Sequence, residues 1–436
     1  MKLQFIGAAG EVGRSCILVE SEDTRIMLDA GVKIGEHDEY PLIKDIKLDS
    51  IDAIIISHAH LDHSGYLPHL YSSGYEGPFY VTKPTFELIN ILVSDYLKIS
   101  EPANVSKTAM TKIQKHAKIV EYHKEFKIKN LRIRFVPAGH ILGSAMIEIH
   151  DGKSSLLYTG DANFRTTKLL DGGYTEYLNA ETLIMESTYG GNKDMFPSEH
   201  GVINTMIESI KSTIQNGGKV ILPTFGVGRA QEILLILDDY MKSGVLPKVP
   251  IYADGMVNKA MRIHRHNVIY CRDELQKRIL LNDDDPFKSS NFVTVETSGQ
   301  RRGIISHHDP CIIVTTSGML TGGPVLRYLK RLAGDSNNKI IFVGYQASGT
   351  RGRQLVEGAE KINIDDQDVN VKLAVESYHL SAHADRQQLL HFVSKIKNLK
   401  NIFIVHGEYS KSEELKESID SAYNIYLPKL SEEFIV

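Results

Sequence analysis

His58-Ala59-His60-Leu61-Asp62-His63 is the stretch that decides the fold, because it places four potential metal ligands within six residues. It directly follows the apolar run Ile54-Ile55-Ile56-Ser57, which predicts a buried strand that ends at the first histidine. Imidazole and carboxylate groups are the ligands that zinc and similar divalent ions accept at neutral pH. The stretch therefore predicts a metal site at the end of a buried strand.

The length and the charge balance of the chain limit its class. At 436 residues the chain is too long for a single ordinary core, so two or three domains are expected. Lysine and arginine number 50 against 54 acidic residues, which gives a formal net charge of −4. Because phosphate contacts need clustered basic residues, any binding of nucleic acid must use a local basic cleft.

The chain shows no sign of export or of a membrane. Its three cysteines, Cys16, Cys271 and Cys311, are far apart and odd in number, which argues against a disulfide framework. The first residues alternate like a strand and lack the apolar region of a signal peptide. No apolar run reaches the roughly 20 residues of a membrane helix. We expect a cytoplasmic protein with no membrane partner.

The organisation changes along the chain. The first part is rich in short strands, with further strands expected over 131–137, 145–149 and 155–159. From about residue 200, strands alternate with helices, and a glycine-rich loop follows each strand, as in 223–228 and 315–323. This alternation predicts an α/β domain with a parallel sheet.

Further candidate ligands follow other buried strands. His140, Asp161, Glu186 and His406 each come at or just after an apolar run. Sheets of this kind place chemistry at the carboxyl ends of their strands. A carboxylate such as Asp161 can bridge two ions, because each of its oxygens is an acceptor. Two metal ions close together would lower the pKa of a shared water and stabilise both oxygens of a phosphoryl displacement.

These motifs, in this order, resemble those of the metallo-β-lactamase superfamily and, more narrowly, of the β-CASP nucleases. The resemblance covers essentially the whole chain and rests on the following positions: Gly10 to Ser15, Asp29, His58 to His63, His140, Asp161, Glu186 in Glu-Ser-Thr-Tyr-Gly, His383 in Ser-Ala-His-Ala-Asp, and His406.

The resemblance implies an α/β fold in which a metallo-β-lactamase αββα sandwich carries an inserted parallel α/β β-CASP domain. The expected domains are 1–195, the first part of the metallo-β-lactamase domain, 196–360, the β-CASP domain, and 361–436, which completes the first domain. The family's additional RNA-binding and carboxyl-terminal domains are expected to be absent, as in its short archaeal and bacterial ribonucleases.

The resemblance also implies two Zn²⁺ per chain and a role for each ligand. His58, His60 and His140 would hold one ion, Asp62, His63 and His406 the other, and Asp161 would bridge them. Asp29 would stand behind the ligands and fix a ligand imidazole by hydrogen bonding. His383 would be the general acid, oriented and kept cationic by Glu186. Hydroxide held by the two ions would attack the phosphorus, so Asp62, Asp161, Glu186 and His383 are the expected catalytic residues.

The expected activity is that of a metal-dependent ribonuclease on single-stranded RNA, in RNA processing or decay. A histidine at position 406 accompanies the RNA-processing members of the family, and a narrow groove between two domains would exclude a duplex. The alternatives are a DNA nuclease of the same superfamily, a small-ester or thioester hydrolase, and a scaffold without activity. The sequence leaves open whether cleavage is endonucleolytic or proceeds from the 5′ end.

The glycine-rich loops add candidate contacts to RNA phosphates, because loops at helix N-termini can bind anions. The candidates are Ser317, Gly318, Ser348, Arg351 and Ser381. None of these loops has the spacing of a nucleotide-binding P-loop. The apolar end of the chain, Phe434-Ile435-Val436, suggests a homodimer contact.

Overall fold

The computed structural model describes every residue of the chain except Glu36, Ala103 and Ser348. The described residues form two compact units. The first unit consists of Met1–Thr166, Leu170–Met195 and His383–Val436, and the second of Thr167–Leu169 and Phe196–Ala382.

The secondary structure follows the chain in three stretches. The first contains β1 (Lys2–Phe5), β2 (Ile17–Ser21), β3 (Thr24–Leu28), β4 (Ala53–Ile55), α1 (Leu61–Ser64), α2 (Leu67–Ser72), β5 (Phe79–Thr82), α3 (Lys83–Ser100), α4 (Ala109–His116), β6 (Ala117–Val120), β7 (Glu125–Ile128), β8 (Leu131–Pro137), β9 (Ala145–His150), β10 (Ser155–Tyr158) and β11 (Thr182–Glu186). The second contains α5 (Glu199–Gln215), β12 (Val220–Pro223), α6 (Arg229–Lys242), β13 (Ile251–Asp254), α7 (Met256–His266), α8 (Asp273–Leu280), β14 (Phe292–Val295), α9 (Ser298–Ser306), β15 (Ile312–Thr315), α10 (Val325–Leu332), β16 (Lys339–Phe342), α11 (Arg351–Val356), β17 (Lys361–Ile364), β18 (Gln367–Asn370) and β19 (Ala374–Ser377). The third contains α12 (Arg386–Lys395), β20 (Asn401–Val405), α13 (Tyr409–Ser418), β21 (Asn424–Tyr426) and β22 (Glu433–Ile435).

The first unit is built on two seven-stranded sheets, ordered β22-β1-β2-β3-β4-β5-β6 and β21-β20-β11-β10-β9-β8-β7. Alternate side chains of both sheets form one core, which includes Phe5, Ile55, Phe135 and Phe403. A second core lies on the other face of the second sheet, where Phe392 of α12 packs with strand residues. Burying each such side chain contributes roughly 1.5–3 kcal/mol. The unit is therefore a sandwich of two sheets with helices outside, as the resemblance implies.

The strand register positions the site. β10, β11 and β20 are parallel neighbours, and Glu186 at the end of β11 stands opposite Val405 of β20. In the other sheet, β3 and β4 are also parallel, with Leu28 opposite Ile55. The residues that follow these strands therefore emerge together at the carboxyl ends of the strands.

The second unit has a six-stranded parallel sheet ordered β14-β13-β15-β12-β16-β19 and a small β17-β18 hairpin. The sequence places the end of this unit at residue 360, and the structure differs, with the unit continuing to Ala382. The physical reason is that β19 pairs with β16 in the parallel sheet. Ile362, Ile364 and Leu373 also belong to the core of this unit.

Within the described residues, none of the helices combines the length and the apolar character that a membrane span requires.

Candidate metal centre

The predicted ligands lie at strand ends or in the turns that follow the strands. His58 comes shortly after β4, His406 directly follows β20, and His140 lies in the connection from β8 to β9. Asp161 follows β10 through a Thr-Gly turn, and Glu186 is the last residue of β11. All five come from the first unit, and all but His58 come from loops or ends of its second sheet.

The turn that carries the histidine stretch is held tightly by the backbone. Ala30 donates a backbone hydrogen bond to His63 at 2.8 Å, and Val32 donates one to Leu61 at 2.9 Å. A Cβ atom at Gly31 would lie 1.7 Å from the carbonyl oxygen of Asp62, so only glycine fits there. This close approach fixes the direction in which the ligand side chains point.

One group of donors consists of His58, His60, His140 and Asp161, whose candidate ligand atoms all lie within 4.8 Å of one another. His140 Nε2 is 3.0 Å from His60 Nδ1, and His58 Nε2 is 3.5 Å from Asp161 Oδ2. The Nε2 atoms of His58 and His60 are buried and have no hydrogen-bond partner among the residues that the structure describes. Buried polar atoms are normally paired, so these two nitrogen atoms are suited to bind a metal ion.

A second group consists of Asp62, His63, Asp161 and His406, again with ligand atoms within 4.8 Å of one another. Asp161 Oδ1 lies 3.3 Å from His63 Nε2 and 3.1 Å from His406 Nδ1. The other oxygen of Asp161, Oδ2, faces His58 and His140 of the first group. The two groups thus share one carboxylate with one oxygen directed to each, and this cluster of histidines and aspartates is suited to binding metal.

The electrostatics of the site favour the metal-binding forms of His58, His60 and Asp161. Burial, together with the neighbouring His63, holds the pKa of His58 well below its usual value, and burial also lowers the pKa of His60. Burial would raise the pKa of Asp161, but the neighbouring His406 and His63 outweigh it and hold that pKa well below its usual value. Neutral imidazoles and an ionised carboxylate are the forms that bind metal ions. The pKa of His63 differs: burial lowers it, but the carboxylates of Asp161, Asp29 and Asp62 outweigh burial and raise it well above its usual value.

Asp29 fixes the orientation of two predicted ligands by hydrogen bonding. Its Oδ2 accepts hydrogen bonds from His63 Nδ1, Ser57 Oγ and Tyr158 Oη, each at 2.7 Å, and its Oδ1 accepts one from the Ser57 backbone at 2.7 Å. Since Ser57 Oγ donates to Asp29, it can accept from His58 Nδ1, which lies 3.1 Å away. Both imidazoles are thereby held in the tautomer that leaves Nε2 free for a metal ion.

His383 and Glu186 form a pair beside these donors. His383 Nδ1 lies 3.0 Å and 3.2 Å from the two oxygens of Glu186, and Glu186 Oε1 also accepts the Ala162 backbone N–H at 2.7 Å. The His383 ring centre is 4.5 Å from that of His140. Burial lowers the pKa of His383, but the Glu186 carboxylate outweighs it and raises that pKa to about 9. The imidazole is thus held by Nδ1, with its Nε2 on the opposite side of the ring.

Comparison with known proteins agrees with this geometry. Residues 9–211 match the metallo-beta-lactamase superfamily, 230–355 the Beta-Casp domain and 368–428 the Zn-dependent metallo-hydrolase RNA specificity domain. A transcription termination factor FttA from Methanothermobacter thermautotrophicus is 39% identical over 97% of this chain and 70% of the relative. The chain belongs to the β-CASP family of the metallo-β-lactamase superfamily.

Other curated relatives carry the same name. The transcription termination factor FttA of Methanocaldococcus jannaschii is 38% identical over 96% of this chain and 69% of its own length, and that of Cenarchaeum symbiosum is 36% identical over 99% and 70%. A crystal structure of a protein of unknown function from Enterococcus faecalis V583 has the same fold, with a TM-score of 0.64 at 14% identity over 100% of this chain and 99% of that chain.

As a β-CASP protein, the chain is a metal-dependent nuclease. The structure brings together the predicted ligands, Asp29, Glu186 and His383. The predicted phosphate contacts lie in the second unit, where Ser317 Oγ bonds to the backbone of its own loop at Gly322. Arg351 donates to the carbonyl oxygens of Asn363 and Leu320.

Two other predicted phosphate contacts complete the set. Gly318 lies in the loop after β15, with its Cα hydrogens directed at the backbone of the loop after β12. Ser381 is half-buried and precedes His383 by two residues, and Ser348 lies outside the described residues.

Sequence reasoning missed several side chains that complete the β-CASP site. Ser57 and Tyr158 bind Asp29, and Arg165 forms an ion pair with the buried Asp385, two residues after His383. Tyr158 could have been found from its position three residues before Asp161, since it follows the alternation of β10 toward the core. Nothing in the sequence pairs Arg165 with Asp385, which is more than two hundred residues away.

Proposed function

We propose that this β-CASP nuclease is a zinc ribonuclease that hydrolyses phosphodiester bonds of single-stranded RNA with two Zn²⁺ ions per chain. The observation that carries the proposal is the position of Asp161, with one oxygen directed to each donor group and the His383–Glu186 pair beside it. A mononuclear site or a packing cluster would not need a buried carboxylate shared in this way.

In this proposal, His58, His60 and His140 hold one ion, Asp62, His63 and His406 hold the other, and Asp161 is a ligand to both. Zinc is favoured because the imidazole-rich set suits it better than it suits Mg²⁺ or Ca²⁺, which prefer oxygen ligands. When bound, two such ions polarise a phosphodiester and lower the pKa of a water between them.

The side chains around the ions orient groups and move protons. Glu186 binds His383 Nδ1 and so directs Nε2 outward, where it can protonate the leaving oxygen. Asp29 holds His63, and through Ser57 also His58, in the correct tautomer. The backbone N–H of Ala162 fixes the Glu186 carboxylate.

RNA is the proposed substrate for two reasons. Residues 368–428 match a domain described by its RNA specificity, and the relatives are named transcription termination factors, whose work concerns nascent RNA. The histidine at position 406 fits the RNA-processing branch, which makes a DNA nuclease the second candidate. We place the enzyme in the cytoplasm, in the processing or decay of transcripts.

The proposal extends to domains and assembly. We assign the inserted unit up to Ala382 as the β-CASP domain, which contains the matched residues 230–355. A homodimer through the chain end is also proposed, because β22 is an edge strand and Ile435 is 90% exposed. Light scattering of an Ile435→Asp variant tests it: the proposal expects a wild-type dimer and a monomeric variant, and a wild-type monomer refutes it.

The His383→Ala variant tests the mechanism. It should retain two zinc ions per chain, because His383 is outside both donor groups, while RNA cleavage falls by at least about a hundredfold. His391→Ala is the matched control, since His391 is an exposed histidine on α12 of the same unit. Cleavage of single-stranded RNA and single-stranded DNA of the same sequence separates the two nuclease candidates. Undiminished cleavage by His383→Ala would refute the assigned acid.

A further inference from the structure

Two aromatic side chains are exposed on the second unit at the carboxyl edge of its parallel sheet. Phe225 follows β12 and is 44% exposed, and Tyr345 follows β16 and is 42% exposed. β12 and β16 are hydrogen-bonded neighbours, with Val220 opposite Lys339. The two aromatic residues therefore lie on adjacent loops of one sheet edge.

The loops around Phe225 leave its ring uncovered. A Cβ atom at Gly344 would lie 3.8 Å from Phe225 Cε2, and one at Gly318 would lie 3.0 Å from the Phe225 backbone nitrogen. Phe225 is thus flanked by two residues without side chains. Gln346 connects the same loops, since its Nε2 donates to the carbonyl oxygens of Gly318 and Gly344. This glutamine is 7% exposed, so a buried side chain connects the two loops.

Two of the predicted phosphate contacts near this edge, Ser317 and Arg351, are already engaged. Ser317 Oγ accepts from the backbone of Thr321 and Gly322, and Arg351 is bound to two carbonyl oxygens. The hydroxyl and guanidinium groups that would bind phosphate are thus used to shape the loops.

We propose that Phe225 and Tyr345 form a stacking surface for the bases of single-stranded RNA. The inference rests on the proposed function, which supplies the RNA. Single strands are recognised by stacking of their unpaired bases on aromatic side chains, and such stacking tolerates any sequence because every base has a π-face. Because the residue beside the Phe225 ring is Gly344, a flat base can reach that side of the ring without displacing a side chain.

The absence of tryptophan from the chain provides a direct probe. In a Phe225→Trp variant the indole is the only one in the protein, and its fluorescence should be quenched when a phosphorothioate-linked oligouridylate, which resists hydrolysis, is added. Ile269→Trp is the matched control, because Ile269 is 67% exposed on the same unit and lies outside the strand-end loops. Quenching of Phe225→Trp alone supports the surface, and no quenching of Phe225→Trp overturns it.

Alanine variants measure the contribution of each ring. Phe225→Ala and Tyr345→Ala should each weaken binding of the same oligouridylate about 5- to 150-fold, which corresponds to the usual energy of one stacked base. The dependence of binding on salt should keep its slope, because no phosphate contact is lost. Unchanged affinity, or a reduced salt slope, overturns base stacking at these residues.

A second substrate separates this inference from the proposed function. An abasic oligoribonucleotide, which keeps the phosphodiesters and has no base to stack, should bind to wild type, Phe225→Ala and Tyr345→Ala with equal affinity. If wild type cleaves RNA and the variants bind it equally well, the stacking surface fails and the proposed function stands. If wild type neither binds nor cleaves RNA, the proposed function fails as well.

Discussion

The Asp29 carboxylate accepts a 2.7 Å hydrogen bond from His63 Nδ1, so a predicted ligand that follows β4 is fixed by a residue that follows the neighbouring strand β3. The same oxygen of Asp29 accepts the Tyr158 hydroxyl, which comes from the second sheet. Asp29 is fully buried, and its backbone φ of 58° places it in the left-handed region. Such a residue is maintained only where its surroundings hold it, and here four hydrogen bonds to its side chain do so.

Replacing Asp29 by asparagine should weaken zinc binding by about 10- to 100-fold, the usual cost of losing the partner of a ligand imidazole. An amide in that position can present its NH₂ group to His63, which would favour the wrong tautomer. Competition with a chromogenic chelator measures the affinity. Asp23→Asn, at an exposed turn, is the control, and equal affinities of the two variants would argue against the role of Asp29.

Replacing Asp385 by alanine should lower both stability and activity. The Asp385 carboxylate accepts the Gln388 N–H at 2.9 Å as the cap of α12 and pairs with Arg165. Loss of a helix cap costs about 1 kcal/mol, and the segment that carries His383 loses its anchor. Urea denaturation and RNA cleavage measure the two effects. Asp385→Asn can still cap the helix, so this variant should recover stability more than activity. Full RNA cleavage by Asp385→Ala would contradict the anchoring role of Asp385.

His264 should make folding stability depend on pH. Burial lowers its pKa to about 4, although its Nδ1 donates a 2.7 Å hydrogen bond to the Ala260 carbonyl. Because the unfolded chain takes up the proton more readily, this stability is complete above about pH 6.5 and is lost as the pH falls toward 4. From pH 7 to pH 5 the loss is about 1–2 kcal/mol.

Urea denaturation of wild type and His264→Phe at these two pH values isolates that contribution, since every other titrating group is common to both proteins. The variant should lose less stability than wild type between pH 7 and pH 5. Parallel losses would show that His264 is protonated in the folded chain.

The ligands could be predicted from the sequence because they follow apolar strands and stand in recognisable motifs. The partners of Asp29 could not, because Ser57 and Tyr158 reach it from different sheets through a packing that no local pattern records. The boundary at Ala382 was missed for a similar reason. β19 is a short strand of mixed polarity, and its place in the second unit follows only from its pairing with β16.

The glycine-rich loops show a different limit. Their composition predicts phosphate contacts, but the side chains of Ser317 and Arg351 are used to close the loops themselves. The exposure of the Phe225 and Tyr345 rings becomes apparent only from the structure. Whether this edge of the sheet contacts RNA stays a prediction, and the structure adds which side chains are exposed there.

The number of zinc ions bound per chain tests the central claim most directly. Calorimetric titration of chelator-treated protein with Zn²⁺ should give two ions per chain, because Asp161 presents one oxygen to each of two donor groups. RNA cleavage should return only as the sites fill. A saturating stoichiometry of one ion, or of none, would contradict the dinuclear centre on which the proposed reaction depends.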